Sequence, residues 1–299
     1  MTNNNQINSS SINRITSDKG LTPYQRVVWF VINFFDNMFN ESLSPCVKIN
    51  NLSVDRGQFD SLNREIDDTS SPSRRLSLLF FHTYNWRDNI PKSSHAKILE
   101  IGCGTGIYSQ LFDDVLSEPE YTGLDIMQNS LWFKYKSKRV SFVQSPAKDI
   151  KDIIDNYNIV FTQSSLEHIE EDVKLFDDIY ENRVSKGRPT MQVHLFPASS
   201  TLFTYLWHGY RQYNFRKINK LISSYSKESQ IEVIRIGGFK TFFLHLSYIT
   251  FPFITRRKDK RETHGKLYKS KVLAATFGDL SKTKGMFTSF YALIIKSNY

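Results

Sequence analysis

From residue 97 onward, short apolar runs alternate with amphipathic stretches. KILEI (97–101) is a buried-strand run, and GIYSQLFDDVL behind it has helical spacing. EYTGLDI (120–126), VSFVQ (140–144), NIVFTQ (158–163) and TMQVHLF (190–196) repeat the strand signal. Between them, SLWFKYK and the face Leu166, Ile169, Val173, Phe176, Tyr180 read as helix. Strands separated by helices of about this length predict parallel β-α-β units with right-handed crossovers. QIEVIRI (230–236) and MFTSFYALIIK (286–296) end the series with an insertion between them rather than a crossover helix. The last strand is therefore expected antiparallel, in an α/β, doubly wound, mostly parallel seven-stranded sheet.

Upstream the pattern is helical. Pro23 can open a helix whose Val27, Val28, Val31, Ile32, Phe35 and Phe39 follow a helical period, a stripe expected to pack on the main domain. Residues 41–70 are polar and irregular, and SSPSRRLSLLFFHTY then restarts a helix with Ser71 as N-cap and Pro72 in its first turn. The reading is a disordered polar tail (1–20), an N-terminal helical cap (21–95) and a main domain (96–299) carrying a helical, basic insertion (240–285).

The 299 residues are enough to bury a sizeable core. Cys46 and Cys103 have neither metal nor redox spacing, no secretory leader is evident, and the longest apolar clusters are too interrupted to span a bilayer. A cytoplasmic protein without a transmembrane helix is expected. Charge adds an asymmetry: residues 201–299 hold 18 Lys and Arg against 5 Asp and Glu, a balance of +13 within a total of +9. A partner drawn by charge would meet the C-terminal third.

The turn after the first strand carries the chemistry. Glycines 102, 104 and 106 let backbone approach a ligand closely, but their G-x-G-x-G spacing is not the G-x-G-x-x-G of a dinucleotide site. Glu100 stands two places ahead, where an anion would be repelled and a sulfonium tolerated. Asp125 follows nineteen residues after Gly106 and can accept both hydroxyls of a ribose. An acidic residue followed by G-x-G-x-G resembles the first motif of the class I methyltransferases that use S-adenosylmethionine, a Rossmann-like fold. The resemblance covers 97 to about 240 and the last strand, and lies nearest the ubiquinone-type and polysaccharide-associated members of the small-molecule branch. It implies that Glu100, Gly102, Cys103, Gly104 and Gly106 hold the cofactor with Asp125 on its ribose. It also implies Ile126 or Met127 against adenine, Ala147 after the third strand and Gln163 at the end of the fourth. Two positions depart from the family pattern: Ser145-Pro146-Ala147 lacks the usual acid, leaving Asp149 or backbone to serve, and Tyr157-Asn158 replaces Phe-Asp. SSLEHI (164–169) resembles the family's Leu-Glu-His signature. There Ser164 and Glu167 have the spacing of a capping box, and His168 is a positioning residue or a base.

For the acceptor, His208, Tyr210 and Arg211 cluster after the fifth strand in a segment that resembles one closing over the acceptor in relatives. His208 would be the base, with His194 and His168 as alternatives, and Arg211 would clamp an anionic group. No metal is expected. The expected substrate is a small-molecule, glycan or lipid-linked acceptor, methylated at oxygen, with a place in cell-surface polysaccharide biosynthesis. In 241–271 an aromatic stretch leads into a basic cluster, which reads either as a cap on the substrate pocket or as a peripheral membrane contact. Its aromatics are grouped rather than interleaved with the basic residues, against nucleic acid. The rivals are an RNA methyltransferase using that basic region and a non-catalytic binding or scaffold protein of the same fold.

Overall fold

A computed structural model describes residues 21–90, 95–206, 209–225, 229–256, 258–261, 263–281 and 287–298. The disordered tail expected over 1–20 lies outside them. The strands are β1 (Val47–Asn51), β2 (Lys97–Ile101), β3 (Glu120–Asp125), β4 (Val140–Gln144), β5 (Ile159–Gln163), β6 (Thr190–Pro197), β7 (Ser229–Ile236) and β8 (Phe290–Ser297). The N-terminal helices are α1 (Pro23–Met38), α2 (Arg56–Leu62), α3 (Pro72–Thr83) and α4 (Trp86–Asn89). Further on come α5 (Tyr108–Val115), α6 (Trp132–Tyr135), α7 (Asp172–Ile179), α8 (Phe215–Leu221), α9 (Phe239–His245), α10 (Phe251–Arg256) and α11 (Gly265–Leu280).

Among the described residues the strands form one eight-stranded sheet, ordered β1-β7-β8-β6-β5-β2-β3-β4. Only β8 runs antiparallel, against both β6 and β7. The doubly wound, mostly parallel sheet with an antiparallel last strand is therefore as the sequence predicts, with one strand more. That strand, β1, comes from the stretch read as irregular and pairs in parallel with β7, so residues 21–95 are not wholly helical. Its VKINN sequence is half polar because an edge strand needs fewer apolar positions.

Both faces of the sheet are covered. One core joins α3 and α5 to inward residues such as Ile98, Phe161 and Val193; the other joins α7 and α8 to Leu99, Val160 and Leu293. Strand order reverses between the parallel neighbours β2 and β5, the switch point beyond whose carboxyl ends ligands of such sheets bind.

One N-cap is as read: the Ser71 hydroxyl accepts from Arg74 N (3.2 Å). Pro23 opens α1 as expected, behind a capping box that Thr22 closes with Gln25. The orientation of α1 is not as read. Its polar side faces the body, with Asn33 buried and Asp36 paired to Arg216 and Lys217. Val27, Val31, Phe35 and Phe39 of the stripe expected to pack inward are exposed. These half-buried ion pairs, together with a bond from Trp29 Nε1 to Gly209 O (3.2 Å), fix this rotation.

Candidate active site

The turn leaving β2 is built by three left-handed glycines, Gly102, Gly104 and Gly106, with φ of +75°, +51° and +79°. At Gly106 the conformation is enforced by packing, since a Cβ would lie 2.4 Å from the Phe142 ring. At Gly104 a Cβ would meet nothing within 4 Å, which leaves that side open for a ligand. Trp132, stacked on Phe142 with ring centroids 5.1 Å apart, donates from Nε1 to Gly104 O (2.9 Å) and holds the turn from behind. The sequence pattern missed Trp132, because a four-residue helix has too little periodicity to show which side it turns inward.

Both predicted carboxylates meet this turn from different sides. Asp125 Oδ2 accepts from Gly104 N (2.8 Å) and Oδ1 from Met127 N (3.0 Å). Each oxygen keeps a further lone pair, so the carboxylate can still accept two ribose hydroxyls. Glu100 is fully buried beneath the turn and accepts a short hydrogen bond from the Tyr121 hydroxyl. Burial raises its pKa from 4.5 to about 8, with the Tyr121 bond and the Arg74 charge pulling the other way. Glu100 thus supports the turn as a buried group and is not laid open beside a ligand. The Cys103 side chain is also turned inward, against the position a Gly123 Cβ would take, and burial pushes its thiol pKa upward. A role for Cys103 on the cofactor would fall to its backbone.

A cavity of about 270 Å³ lies beside the ends of β3 and β4, lined by Ile126, Ala147, His168 and Glu171 among others. The structure thus brings Ile126, Ala147 and His168 together on what would be the adenine side. Asp149 does not line this cavity; Ser145 Oγ donates to it at 3.4 Å.

A second cavity, about 230 Å³, sits over the carboxyl ends of β5 and β6. Gln163, Ser164 and Glu167 form its floor, Tyr205 a wall, and Ser73, Arg74 and Ser77 of α3 its roof. Gln163 Nε2 donates to Ser164 Oγ (2.8 Å). The turn and this floor touch, since a Cβ on Gly102 would lie 2.3 Å from Ser165 Cβ. Arg74 makes no ion pair among the described residues, and its guanidinium stands 5.8 Å from the Tyr108 ring centroid.

The capping box predicted for Ser164 and Glu167 does not form. Ser165 stands at the N-cap of a three-residue 3₁₀ turn, without a side-chain cap bond, and its hydroxyl donates to Ile101 O (2.7 Å). The N-cap falls one residue later than read, at Ser165, and Glu167 is buried at the cavity.

Of the predicted acceptor cluster, Tyr210 and Arg211 stand together, away from the cavity over β5 and β6. His208 lies outside the described residues. Arg211 donates to Asp172 Oδ1 (2.8 Å) and Glu170 O (2.6 Å), and with Tyr210 lines a different cavity against α1. Arg211 is thereby a structural ion-pair residue: Asp172, also bonded by the Tyr213 hydroxyl (2.8 Å), is its buried counter-charge. His194 is fully buried, bonded to Thr162 Oγ1 (3.0 Å), and desolvation lowers its pKa to about 3, which removes it as an acceptor base.

Residues 99–187 match the family model described as a methyltransferase domain. No curated protein matches the chain. Similar solved structures include the plantazolicin methyltransferase BamL in complex with a triazolic desmethylPZN analog and SAH, at 16% identity over 81% of this chain and 89% of that one, TM-score 0.45. A SAM-dependent methyltransferase from Archaeoglobus fulgidus is 15% identical over 68% and 87%, TM-score 0.42. The MccD protein is 10% identical over 73% and 96%, TM-score 0.43. The family match starts within β2 and ends beyond α7, so it takes in both carboxylates and the whole glycine turn. On that ground the chain carries a methyltransferase domain over residues 99–187.

Proposed function

We propose that the enzyme methylates a hydroxyl of a small acceptor bound in the polar cavity over β5 and β6, with Glu167 as the general base. The observation that carries this reading is the cavity itself: a buried carboxylate, hydroxyls and an amide at the carboxyl edge of the sheet, one contact from the cofactor turn. Glu167 was a capping residue in the sequence; we read it as the proton acceptor because it lines this cavity, whereas His194 is buried away from it.

When bound, the cofactor supplies an electrophilic methyl group on a sulfonium. The chain's own residues do the rest. Asp125 and the glycine turn would hold the ribose and amino-acid ends, and Arg74, beside the Tyr108 ring at the start of α5, would clamp the terminal carboxylate. Gln163 and Ser164 orient the acceptor oxygen, and α3 roofs the cavity against water. Glu167 would take the proton that the acceptor hydroxyl gives up when its oxygen receives the methyl group.

A hydroxyl-rich sugar suits these donors and acceptors, which supports a glycan acceptor in surface polysaccharide synthesis. A cofactor-binding protein without turnover is the second reading, motivated by Ser145-Pro146-Ala147 in place of an acidic motif. The test is calorimetric titration of S-adenosylmethionine and S-adenosylhomocysteine with NAD as control, followed by transfer of labelled methyl to a panel of sugars and phenols. Binding of the first two with an alkali-stable labelled product supports O-methylation. An alkali-labile product indicates an ester acceptor, and binding without transfer to any acceptor favours the scaffold.

A further inference from the structure

The exposed side of α1 is apolar where a helix on a water-facing surface should be polar. Val27, Val31, Phe34, Phe35 and Met38 lie on one stripe, with Phe35 and Met38 55% and 63% exposed. The stripe continues beyond the helix. The half-exposed Phe203 meets Phe30 and Phe34 at ring distances of 6.0 and 6.4 Å. Thr204 then accepts from Thr250 Oγ1 through its carbonyl (2.9 Å), which places the start of α10 alongside. There Phe251, Phe253 and Ile254 are all exposed, and the exposed Arg256 and Lys258 follow directly. Phe239 and Phe243 of α9 are likewise exposed, next to Lys240.

Residues 255–271 hold eight Lys and Arg against two acids. Apolar side chains in one face with cations at its margin complement an anionic lipid surface, the apolar groups entering the acyl boundary and the cations the headgroups. None of the described helices is long and apolar enough to cross a bilayer, so the contact is in the plane of the surface. Single scattered apolar residues need no explanation, but two helices and a bridging phenylalanine make a platform.

We propose that the face formed by α1, Phe203 and α10 docks on an anionic membrane surface. Tyr205, two residues after Phe203, lines the acceptor cavity and its ring stands 4.9 Å from that of His245. An amphiphilic acceptor resting in the same surface would thus have a short path to Glu167; this consequence for the substrate rests on the cavity reading above, whereas docking does not.

The experiment is co-sedimentation of the full chain with vesicles of phosphatidylglycerol and phosphatidylcholine, and of phosphatidylcholine alone. Light scattering of the lipid-free protein runs in parallel. Binding to the anionic vesicles, weakened by salt and about tenfold or more weaker in the Phe35→Ser/Phe251→Ser variant, is the expected result. Arg256→Glu/Lys258→Glu should lose the anionic preference. S-adenosylhomocysteine affinity should be unchanged in both variants, which shows that they fold and separates failure of docking from failure of the enzyme reading. Two results overturn the proposal. One is no sedimentation with either vesicle. The other is a dimer that Phe35→Ser converts to monomer without lipid binding, which would assign the face to a second copy of the chain.

Discussion

Asp125 gives the sharpest residue-scale expectation. Two hydrogen bonds from ribose to a carboxylate stabilise binding by about 3 kcal/mol or more together, so Asp125→Ala should weaken S-adenosylhomocysteine binding about a hundredfold in calorimetry. Unchanged affinity would remove the ribose assignment. Glu167→Gln separates binding from chemistry: loss of a general base lowers kcat by about two to four orders of magnitude, while the affinity for S-adenosylhomocysteine stays put. Glu100 makes a pH prediction. Its folded pKa of about 8 lies above its ordinary 4.5, so between those values the folded protein holds a proton that the unfolded chain has lost. Stability therefore falls as pH rises through that window, and Glu100→Gln, which can still accept from Tyr121, should flatten the slope in urea midpoints measured across it. Asp125 was legible because spacing alone places an acid at the end of the second strand. The surroundings of Arg211 and His194 were not legible, because their partners Asp172 and Thr162 are distant in sequence.

At the scale of elements, patterns that repeat were readable and single turns were not. Strands β2, β3, β5, β6 and β8 announce themselves as apolar runs because they are buried on both faces. Strand β1 has one buried position in five, and no pattern can emerge from that. The stripe on α1 was legible as a stripe but not as a direction: periodicity gives a face, and only the Asp36 pairs with Arg216 and Lys217 say which way it turns. The glycine turn permits a contrast between two positions of the same motif. Gly106→Ala faces both a left-handed φ and the Phe142 ring, so it should destabilise by about 2–3 kcal/mol in denaturant unfolding. Gly104→Ala faces only the backbone cost of about 1 kcal/mol and should instead lose cofactor affinity, because its Cβ fills the approach left for the ligand. Equal effects of the two on stability and affinity would mean that the turn serves packing alone.

For the whole molecule, the sheet ties the two ends of the chain into one unit. Strand β1 is held by β7, β7 by β8, and β8 by β6, so an edge from the N-terminal part and an antiparallel strand from the C-terminal end share one ladder. Helix α3 joins the same core as α5 and β5 while also roofing the acceptor cavity. The cofactor site at the β2–β5 switch point therefore cannot loosen independently of that core, and ligand binding should be felt by the entire fold. At a hundred times its dissociation constant a ligand specific to the folded state stabilises by about 2.7 kcal/mol. For a chain of this size that corresponds to a rise in Tm of about 4 °C. Differential scanning calorimetry with saturating S-adenosylhomocysteine should show a single transition moved upward by that amount, and NAD should leave it in place. A transition that splits, with only its upper part moving, would show that α1 to α4 unfold apart from the sheet. In that case α3 could not be the roof that keeps water from the transferred methyl group.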